Sequence, residues 1–261
     1  MPGFTDEEKI NLMRAHEGDG RLFEDIITCF YEDLCYPGDH VIDAGANRGH
    51  HTFKLASTVG SAGRVLAIEP VPILAEMIEA TSRRFKVTQL KLVVAALSDH
   101  NTVAEFFFRR DMDGWSSLFE THVPPNTLAE NITRFYASII TLDDLAHLVE
   151  DCKFIKLDLE MNEFQALRGA QTLLKRDRPV MIFENARENA AKLGGYKKED
   201  FFELFKTLDY SLFDIFMDPM TPDRWQGDPT MPVYNIAVPS AHVDELKALP
   251  IQEYYTRSKI G

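Results

Sequence analysis

Three charged residues, Lys156, Asp158 and Glu160, alternate along an apolar segment in the second half of the sequence. Residues two positions apart on a β-strand share one face, so the three charges would lie together. Neighbouring carboxylates raise each other's pKa unless a cation or a proton intervenes, and one of them could act as a general base. Asp158 and Glu160 are therefore predicted to be catalytic. Two other interpretations stay open: a buried charge ladder neutralised by Lys156, and a divalent-cation site shared with Glu184.

A turn of small residues follows a predicted strand early in the sequence. The segment Val41–Gly49 starts as an apolar run, and a helix is predicted to begin at His50. Gly45 and Ala46 add little steric bulk, so a ligand can approach the backbone closely. The first N–H groups of the helix would point into the same crevice, as in nucleotide sites of α/β folds. The signal is weak by itself, because the pattern G-x-G-x-x-G is absent.

An acidic residue ends the second predicted strand. The apolar run Val65–Ile68 is followed directly by Glu69, and a carboxylate at this place can accept hydrogen bonds from both hydroxyls of a ribose. An acidic strand end in solvent is the simpler interpretation. Together with the small-residue turn, Glu69 favours a ligand that contains a nucleoside.

The composition excludes several classes of protein. The chain has 261 residues, 45% hydrophobic content and a formal charge of −13. Nucleic acids and anionic membranes attract basic surfaces, so a small neutral or cationic substrate is the expected partner. No apolar run is long enough to span a membrane, and the first residues do not resemble a signal peptide. The three cysteines have no metal-type or redox spacing, which indicates reduced thiols in a cytoplasmic protein.

The alternation of strands and helices predicts an α/β fold with a mostly parallel sheet. We predict one domain over residues 1–261, with an N-terminal helical extension (1–35) and a Rossmann-like core (36–239) that carries an insertion at about 100–142. Helices are predicted over Asp6–Ala15, Leu22–Leu34, Pro72–Phe85, Glu163–Lys175 and Lys198–Leu208. Strands are predicted over Val41–Ala44, Val65–Glu69, Leu90–Leu97, Val103–Phe108, Ser138–Thr141, Phe154–Leu159, Val180–Phe183, Ser211–Phe216 and Val233–Val238.

The order of these motifs resembles the FkbM-type methyltransferases over most of the chain, from about Tyr36 to Pro239. The motifs that carry the resemblance are Ile42–Asn47 with Gly49 and Thr52, Ile68–Pro70, Ala96–Asp99, Thr141–Asp144, Ile155–Glu163, Leu167–Ala170, and Arg178–Pro179 before a strand that ends at Glu184. The resemblance implies a class I methyltransferase fold: a seven-stranded, mostly parallel sheet whose last strand is antiparallel, with helices on both faces. It also implies S-adenosylmethionine as the methyl donor.

The resemblance further implies which residues bind the donor. Glu69 would face the ribose and Ser98 with Asp99 the adenine, although Asp99 could simply form a turn after its strand. Asp43 would orient the turn and the donor's ammonium group, or stabilise the turn alone. The full set of expected donor-binding residues is Asp43, Gly45, Ala46, Asn47, Gly49, Thr52, Glu69, Ser98 and Asp99.

The reaction that the resemblance implies is O-methylation of a small molecule, often a sugar or a polyketide-like product. Proximity and alignment supply much of the catalysis in such a transfer, and a base removes the hydroxyl proton. One departure from the family pattern is Met161, which stands where the family usually has glycine. If that position needs a positive φ, methionine is strained there. A rival interpretation is therefore a donor-binding protein without transfer activity, and a less favoured one is a nicotinamide-dependent reductase.

The small-residue turn Gly45–Gly49 is called the donor turn below. The acceptor site is predicted where two segments overhang the sheet edge that carries this turn. The insertion contributes Trp115 and Ser116, and His122 in the same block could reach the acceptor, although a surface position is its default interpretation. The proline-rich connection 217–232 contributes an aromatic ring and a cation, and its alternative interpretation is a long hairpin loop. The expected acceptor residues are Trp115, Ser116, Glu184, Arg224 and Trp225. A divalent cation is possible here but not expected.

Overall fold

The fold is described from a computed structural model that covers residues 4–19, 21–120, 128–226 and 232–257. His122 and part of the 217–232 connection lie outside these ranges. The helices are α1 Asp6–Asp19, α2 Leu22–Leu34, α3 His50–Val59, α4 Pro72–Phe85, α5 Leu142–Leu145, α6 Glu163–Arg168, α7 Gln171–Asp177, α8 Glu188–Gly194, α9 Lys198–Thr207, α10 Val243–Lys247 and α11 Ile251–Arg257. The strands are β1 His40–Ala44, β2 Arg64–Ile68, β3 Leu90–Val93, β4 Ala96–Leu97, β5 Thr102–Arg109, β6 Ile132–Ile140, β7 Cys152–Leu157, β8 Val180–Glu184, β9 Tyr210–Asp214 and β10 Tyr234–Pro239.

The central sheet has seven strands in the order β3-β2-β1-β7-β8-β10-β9. Strands β1, β2, β3, β7 and β8 run parallel, and β10 runs antiparallel to both β8 and β9. The predicted fold class is confirmed. The carboxyl ends of the parallel strands meet at one edge, which is where open α/β sheets bind their ligands.

Side chains alternate between two apolar cores on the faces of the sheet. Along β1, Val41 packs with α2 and α3, while Ile42 and Ala44 pack with the helices that follow β7 and β8. Asp43 lies on the same side as Val41, where it is fully buried. This face is closed by α2 and by α11, whose Tyr254 donates a hydrogen bond to Asp33 at 2.7 Å. Helix α2 is thus integrated into the core that faces the donor turn.

The insertion forms a second, three-stranded sheet in the order β4-β6-β5. The predicted strand Leu90–Leu97 is divided, because Ala96 and Leu97 pair with β6 instead of continuing β3. Strand β6 is also longer than the predicted Ser138–Thr141, since it pairs with β5 along its whole length. The insertion is therefore anchored directly beside the end of β3.

Several helix boundaries differ from the prediction. Helix α1 continues to Asp19 instead of ending at Ala15. The predicted helix Glu163–Lys175 is two helices, because Gly169 packs so closely that a Cβ there would lie 2.2 Å from the carbonyl oxygen of Ser98. Helices α8, α10 and α11 were not predicted, since their short amphipathic patterns depend on tertiary contacts.

Two compositional predictions concern the surface and the core. Within the described ranges, none of the helices has the length and apolar character required to cross a membrane.

Cys35 and Cys152 are buried and Cys29 is half-buried, all as free thiols. Burial raises the pKa of the Cys35 thiol to about 12, so this group is unreactive at neutral pH.

Candidate active site

The turn after β1 touches the end of β7. Gly45 has a φ of +80°, and a Cβ at this position would lie 1.8 Å from the carbonyl oxygen of Asp158. The N–H groups of Gly45 and Ala46 both donate to the carbonyl oxygen of Ile68, at 2.9 and 3.0 Å. Gly49, with a φ of +86°, precedes the first residue of α3. The turn therefore joins the ends of β1, β2 and β7, and only a residue without a side chain fits at position 45.

Asp43 has an unsatisfied carboxylate oxygen. Its Oδ2 accepts a hydrogen bond from the hydroxyl of Thr52 at 2.5 Å, so Thr52 orients Asp43 and has no exposed surface of its own. Its Oδ1 is buried and has no hydrogen-bond partner among the described residues. A buried acceptor without a partner is costly, and a bound ammonium group would satisfy it. The geometry fits a cationic ligand group beside Asp43.

Glu69 is fixed by two backbone amides. Its Oε2 accepts from the N–H of Asn47 at 2.7 Å and its Oε1 from the N–H of Val71 at 2.8 Å. Burial raises the pKa of Glu69 to about 7, the charges of Asp43 and Asp113 act in the same direction, and the two amide bonds oppose the shift. Each oxygen keeps a lone pair, so the carboxylate can accept two further hydrogen bonds from a diol.

A crevice of about 610 Å³ runs from Glu69 to Asp158 and is open to solvent. A planar ring would find apolar walls from Ala95, Ala96, Leu97, Phe106 and Leu118. Glu69 lies at the polar end of these walls. The arrangement suits a nucleoside, with the sugar at the carboxylate and the base between the walls.

Ser98 and Asp99, which are predicted to contact the adenine, are not among the residues that line this crevice. Ser98 is buried beneath Gly169. The Asp99 carboxylate pairs with Arg168 at 3.2 Å and with His100 at 2.7 Å. Strand β4 pairs with β6 of the second sheet, and Ser98 and Asp99 follow it. Ala95, Ala96 and Leu97, which precede them, line the crevice instead.

The insertion closes one side of the crevice. Asp113 and Ser116 contribute to the lining, and Asp113 forms an ion pair with Arg48 of the donor turn. The Ser117 hydroxyl donates to the carbonyl oxygen of Glu160 at 2.7 Å. Trp115 is 41% exposed, and the Arg109 guanidinium lies 6.0 Å from its ring centroid. The structure thus places the predicted acceptor residue Ser116 at the donor crevice and Trp115 at its rim.

The predicted catalytic carboxylates come together, although not through a strand. Strand β7 ends at Leu157, and the chain reverses at Glu160 and Met161, whose φ angles are +50° and +85°. One carboxylate oxygen from each of Asp158, Glu160 and Glu184 lies within 4.8 Å of the others. The predicted shared strand face is therefore not formed, because only Lys156 lies within β7. Asp158 follows the strand end and Glu160 reaches the cluster through the turn.

The cluster around Glu184 contains more carboxylates than cations. Lys156 is buried and donates to Asp158 at 3.0 Å. Burial raises the pKa of Glu184 well above its ordinary value, the charges of Asp158, Glu160 and Glu163 raise it further, and Lys156 opposes the shift. Burial likewise raises the pKa of Glu163 to about 8. Because the carboxylates outnumber the cation, repulsion between them favours the protonated form of Glu184.

A second cavity adjoins the crevice on the side of α2. The two share Gly45, Asn47 and Asp158. The other lining residues of the second cavity are Arg21, Glu24, Asp25, Asp43, Ala46, Arg48, His50, His51 and Lys156. The sequence analysis did not identify Glu24 or Asp113 as site residues, since no local motif connects them with the turn.

Arg224 and Trp225 do not line the crevice or the adjoining cavity, so the structure does not bring these two predicted acceptor residues together with the carboxylate cluster. Trp225 is 5% exposed, and its ring centroid lies 5.1 Å from that of Phe201 in α9. Arg224 donates to Asp214 Oδ2 at 3.0 Å. The connection after β9 folds back on its own strand and on α9, because burying an indole against other aromatic rings is more favourable than exposing it.

Comparison with known proteins assigns the family. The methyltransferase FkbM domain matches residues 43–213. Over 67 residues the chain is 38% identical to the protein-L-isoaspartate O-methyltransferase of Methanococcus aeolicus, a match that covers 26% of this chain and 31% of that enzyme.

Solved structures include two similar methyltransferases. The methyltransferase FkbM of Methylobacillus flagellatus has 16% identity and a TM-score of 0.45, with 77% of this chain and 43% of that chain covered. An S-adenosylmethionine-dependent O-methyltransferase of Thermotoga maritima has 14% identity and a TM-score of 0.44, with 82% of this chain and 64% of that chain covered.

The matched region extends over more than half of the chain and contains the donor turn, Glu69 and the cluster of Asp158, Glu160 and Glu184. The chain therefore belongs to the FkbM methyltransferase domain family.

Proposed function

We propose that the protein transfers the methyl group to a hydroxyl of a small molecule, such as a sugar or a polyketide-like product. The observation that carries this proposal is the position of Asp158, which lines both the donor crevice and the adjoining cavity. A carboxylate there is next to both reactants and can accept the proton that a hydroxyl loses on methylation. The net charge of −13 supports a neutral or cationic acceptor and neither nucleic acid nor membrane as a partner.

The residues of the chain would hold the donor in a defined orientation. S-Adenosylmethionine supplies an activated methyl group, so positioning accounts for much of the rate. Asp43 would bind the ammonium group through its unsatisfied oxygen, and Glu69 would accept the ribose hydroxyls. The backbone at Gly45 leaves room for close approach at the end of β7.

Asp158 would act as the base, with Lys156 and the neighbouring acids setting its environment. The Lys156 ammonium donates a hydrogen bond to Asp158 at 3.0 Å and so fixes the position of this carboxylate. Burial and the neighbouring carboxylates raise the pKa of Glu184, and a proton on Glu184 would reduce repulsion between the carboxylates. Glu160 would contact the acceptor from the turn that follows.

Two rivals from the sequence analysis have less support. Met161 motivated a protein that binds the donor without transferring the methyl group, but its φ of +85° keeps the turn that glycine would form. The carboxylates on both sides of this turn still converge. A nicotinamide-dependent reductase is disfavoured by the family match and by the absent phosphate-binding pattern.

Transfer of a labelled methyl group to a broad panel of hydroxylated acceptors tests the proposal. We expect label on oxygen of at least one sugar or polyketide-like acceptor, and none on nucleic acid. Donor binding by calorimetry serves as the control for a folded site. Bound donor with no transfer to any acceptor would support the binding-only rival, and transfer to nitrogen or to RNA would replace the proposed acceptor class.

A further inference from the structure

Helix α2 brings a carboxylate, Glu24, to the edge of the active site. Glu24 Oε2 bonds with Nε2 of His51, which is the second residue of α3 after the donor turn. Glu24 Oε1 accepts from the Tyr234 hydroxyl at 2.9 Å, and Tyr234 is paired with Glu184 in the sheet. One side chain of α2 thus connects the start of α3 with the strand beside the carboxylate cluster. Glu24 and Tyr234 both lie outside the matched family region.

Hydrogen bonds connect His51 with two residues of helix α2. The Thr28 hydroxyl donates to the carbonyl oxygen of Glu24 at 2.9 Å, so it can only accept from the Tyr31 hydroxyl at 3.3 Å. The Tyr31 oxygen lies 3.2 Å from Nδ1 of His51 and can accept a hydrogen bond from it. Nε2 of His51 faces the Glu24 carboxylate, so the imidazole connects Tyr31 with Glu24.

Glu24 also acts on Lys156. Burial works against the ionised form of Glu24, but the hydrogen bond from His51 and the charges of Lys156 and His51 outweigh it, so the pKa of Glu24 falls to about 2. Lys156 is buried beside Asp43 in the sheet register and reaches Asp158. Burial lowers the pKa of Lys156, whereas the charges of Asp158, Asp43 and Glu24 raise it above its ordinary value. Glu24, Asp43 and Asp158 line the same cavity as this ammonium, so the three carboxylates lie around it.

We propose that Glu24 is a positioning residue for methyl transfer, which keeps Lys156, and through it Asp158, aligned at the donor turn. The inference rests on the proposed function. Helix α2 is then part of the catalytic unit and not only a cover for the sheet. The titratable side chains that surround the Lys156–Asp158 pair are Glu24, Tyr31, Asp43, His51, Glu160, Glu163, Glu184 and Tyr234.

The test compares Glu24→Gln with Asp33→Asn in the donor-saturated full chain. Glutamine keeps the shape of Glu24 but loses its charge, while Asp33→Asn weakens the contact between α2 and Tyr254 and leaves Glu24 unchanged. We expect Glu24→Gln to lower kcat about tenfold with donor affinity changed less than about threefold, because the lost interaction orients a catalytic group. In ¹⁵N NMR spectra at pH 7.5, the ring signals of His51 should move in Glu24→Gln only, because this variant changes the partner of Nε2, and the Lys156 ammonium signal should move as well.

The outcomes separate this inference from the proposed function. If no acceptor is found, the proposed function fails, while the His51 and Lys156 signals still decide whether Glu24 controls the pair. Equal effects of Glu24→Gln and Asp33→Asn would overturn the inference, as would donor affinity falling in proportion to kcat. If Glu24→Gln does not fold, Tyr234→Phe with the same measurements decides: a lower kcat at unchanged donor affinity supports the inference, and an unchanged kcat overturns it.

Discussion

The carbonyl oxygen of Asp158 occupies the space that a side chain on residue 45 would need, so Gly45 and Asp158 can only be neighbours while residue 45 is glycine. This contact brings the donor turn against the end of β7. It explains why the two motifs, far apart in the sequence, form a single site.

Gly45→Ala should destabilise the protein and abolish donor binding. A positive φ costs a residue with a side chain about 1–2 kcal/mol, and displacement of the Asp158 backbone adds about 1–3 kcal/mol. The matched control is Gly195→Ala, which also has a positive φ, +68°, but has open space around its Cβ position. Urea denaturation should show a clearly larger loss for Gly45→Ala, and similar losses for the two variants would contradict the close contact.

Glu69→Gln should weaken donor binding by roughly one to two orders of magnitude, since charge-assisted hydrogen bonds contribute about 1.5–3 kcal/mol. Asp99→Asn is the control, because the structure places Asp99 outside the crevice, and we expect no change in donor affinity there. Since the pKa of Glu69 is about 7, donor affinity of the parent protein should also decrease below that pH. Calorimetric titration at several pH values checks both expectations, and the opposite ranking of the two variants would restore the adenine role of Asp99.

Stability should decrease as the pH rises from 6.5 to 8.5. Glu69 and Glu163 have pKa values of about 7 and 8 in the folded chain against 4.5 when unfolded, so the folded state binds more protons in this interval. The slope of the unfolding free energy with pH is then negative, on the order of 2 kcal/mol over the interval. Burial lowers the pKa of His50, which acts in the opposite sense, but only below 6.5.

Urea denaturation at both pH values measures this effect, and Glu163→Gln provides the control. Glutamine can still accept the hydrogen bond from the N–H of Leu159, which Glu163 receives at 2.6 Å, and it cannot titrate. The difference between the two pH values should therefore shrink in the variant. An equal or larger difference would show that Glu163 is not a source of the slope.

The elements that the sequence predicts well are those with a local pattern. The turn at Gly45 and the acid at Glu69 each follow an apolar strand, so short-range order is enough to place them. Asp99 has the same local appearance, but its position depends on β4 leaving the main sheet for the insertion. No local pattern reveals that departure.

The side chains that could not be predicted depend on contacts between distant segments. Glu24 meets His51 and Tyr234 only after α2 has packed on the sheet. Trp225 lies in a proline-rich connection that is typical of an exposed loop, yet its ring is buried against α9. Tertiary packing decides these positions, because apolar burial outweighs the loop composition.

Trp225→Ala should therefore reduce stability and leave the acceptor Michaelis constant unchanged. Removing a buried indole costs about 3–5 kcal/mol. Trp115→Ala is the contrasting variant: its ring is 41% exposed at the rim of the crevice, so we expect a small change in stability and a raised acceptor Michaelis constant. Thermal unfolding and steady-state kinetics of both variants check this, and a normal melting temperature for Trp225→Ala would argue against its burial.

Asp158→Asn should lower turnover far more than donor affinity. A general base contributes about 10²–10⁴-fold to the rate, and asparagine keeps the size of the side chain while it loses the ability to take a proton. Glu184→Gln is the matched variant. Because burial and the neighbouring carboxylates raise the pKa of Glu184, glutamine resembles its neutral form and should lower kcat much less.

The same pair of variants separates the base from a bound divalent cation, for which Asp158, Glu160 and Glu184 are suitably arranged. If these residues bind a metal, Glu184→Gln and Asp158→Asn should be similarly impaired, and EDTA should abolish activity that magnesium restores. If Asp158 is the base, EDTA should have no effect on the parent protein, and only Asp158→Asn should lose turnover at every pH. Full activity of Asp158→Asn across the pH range would exclude both roles, since neither a base nor a metal ligand can be replaced by a neutral amide without loss.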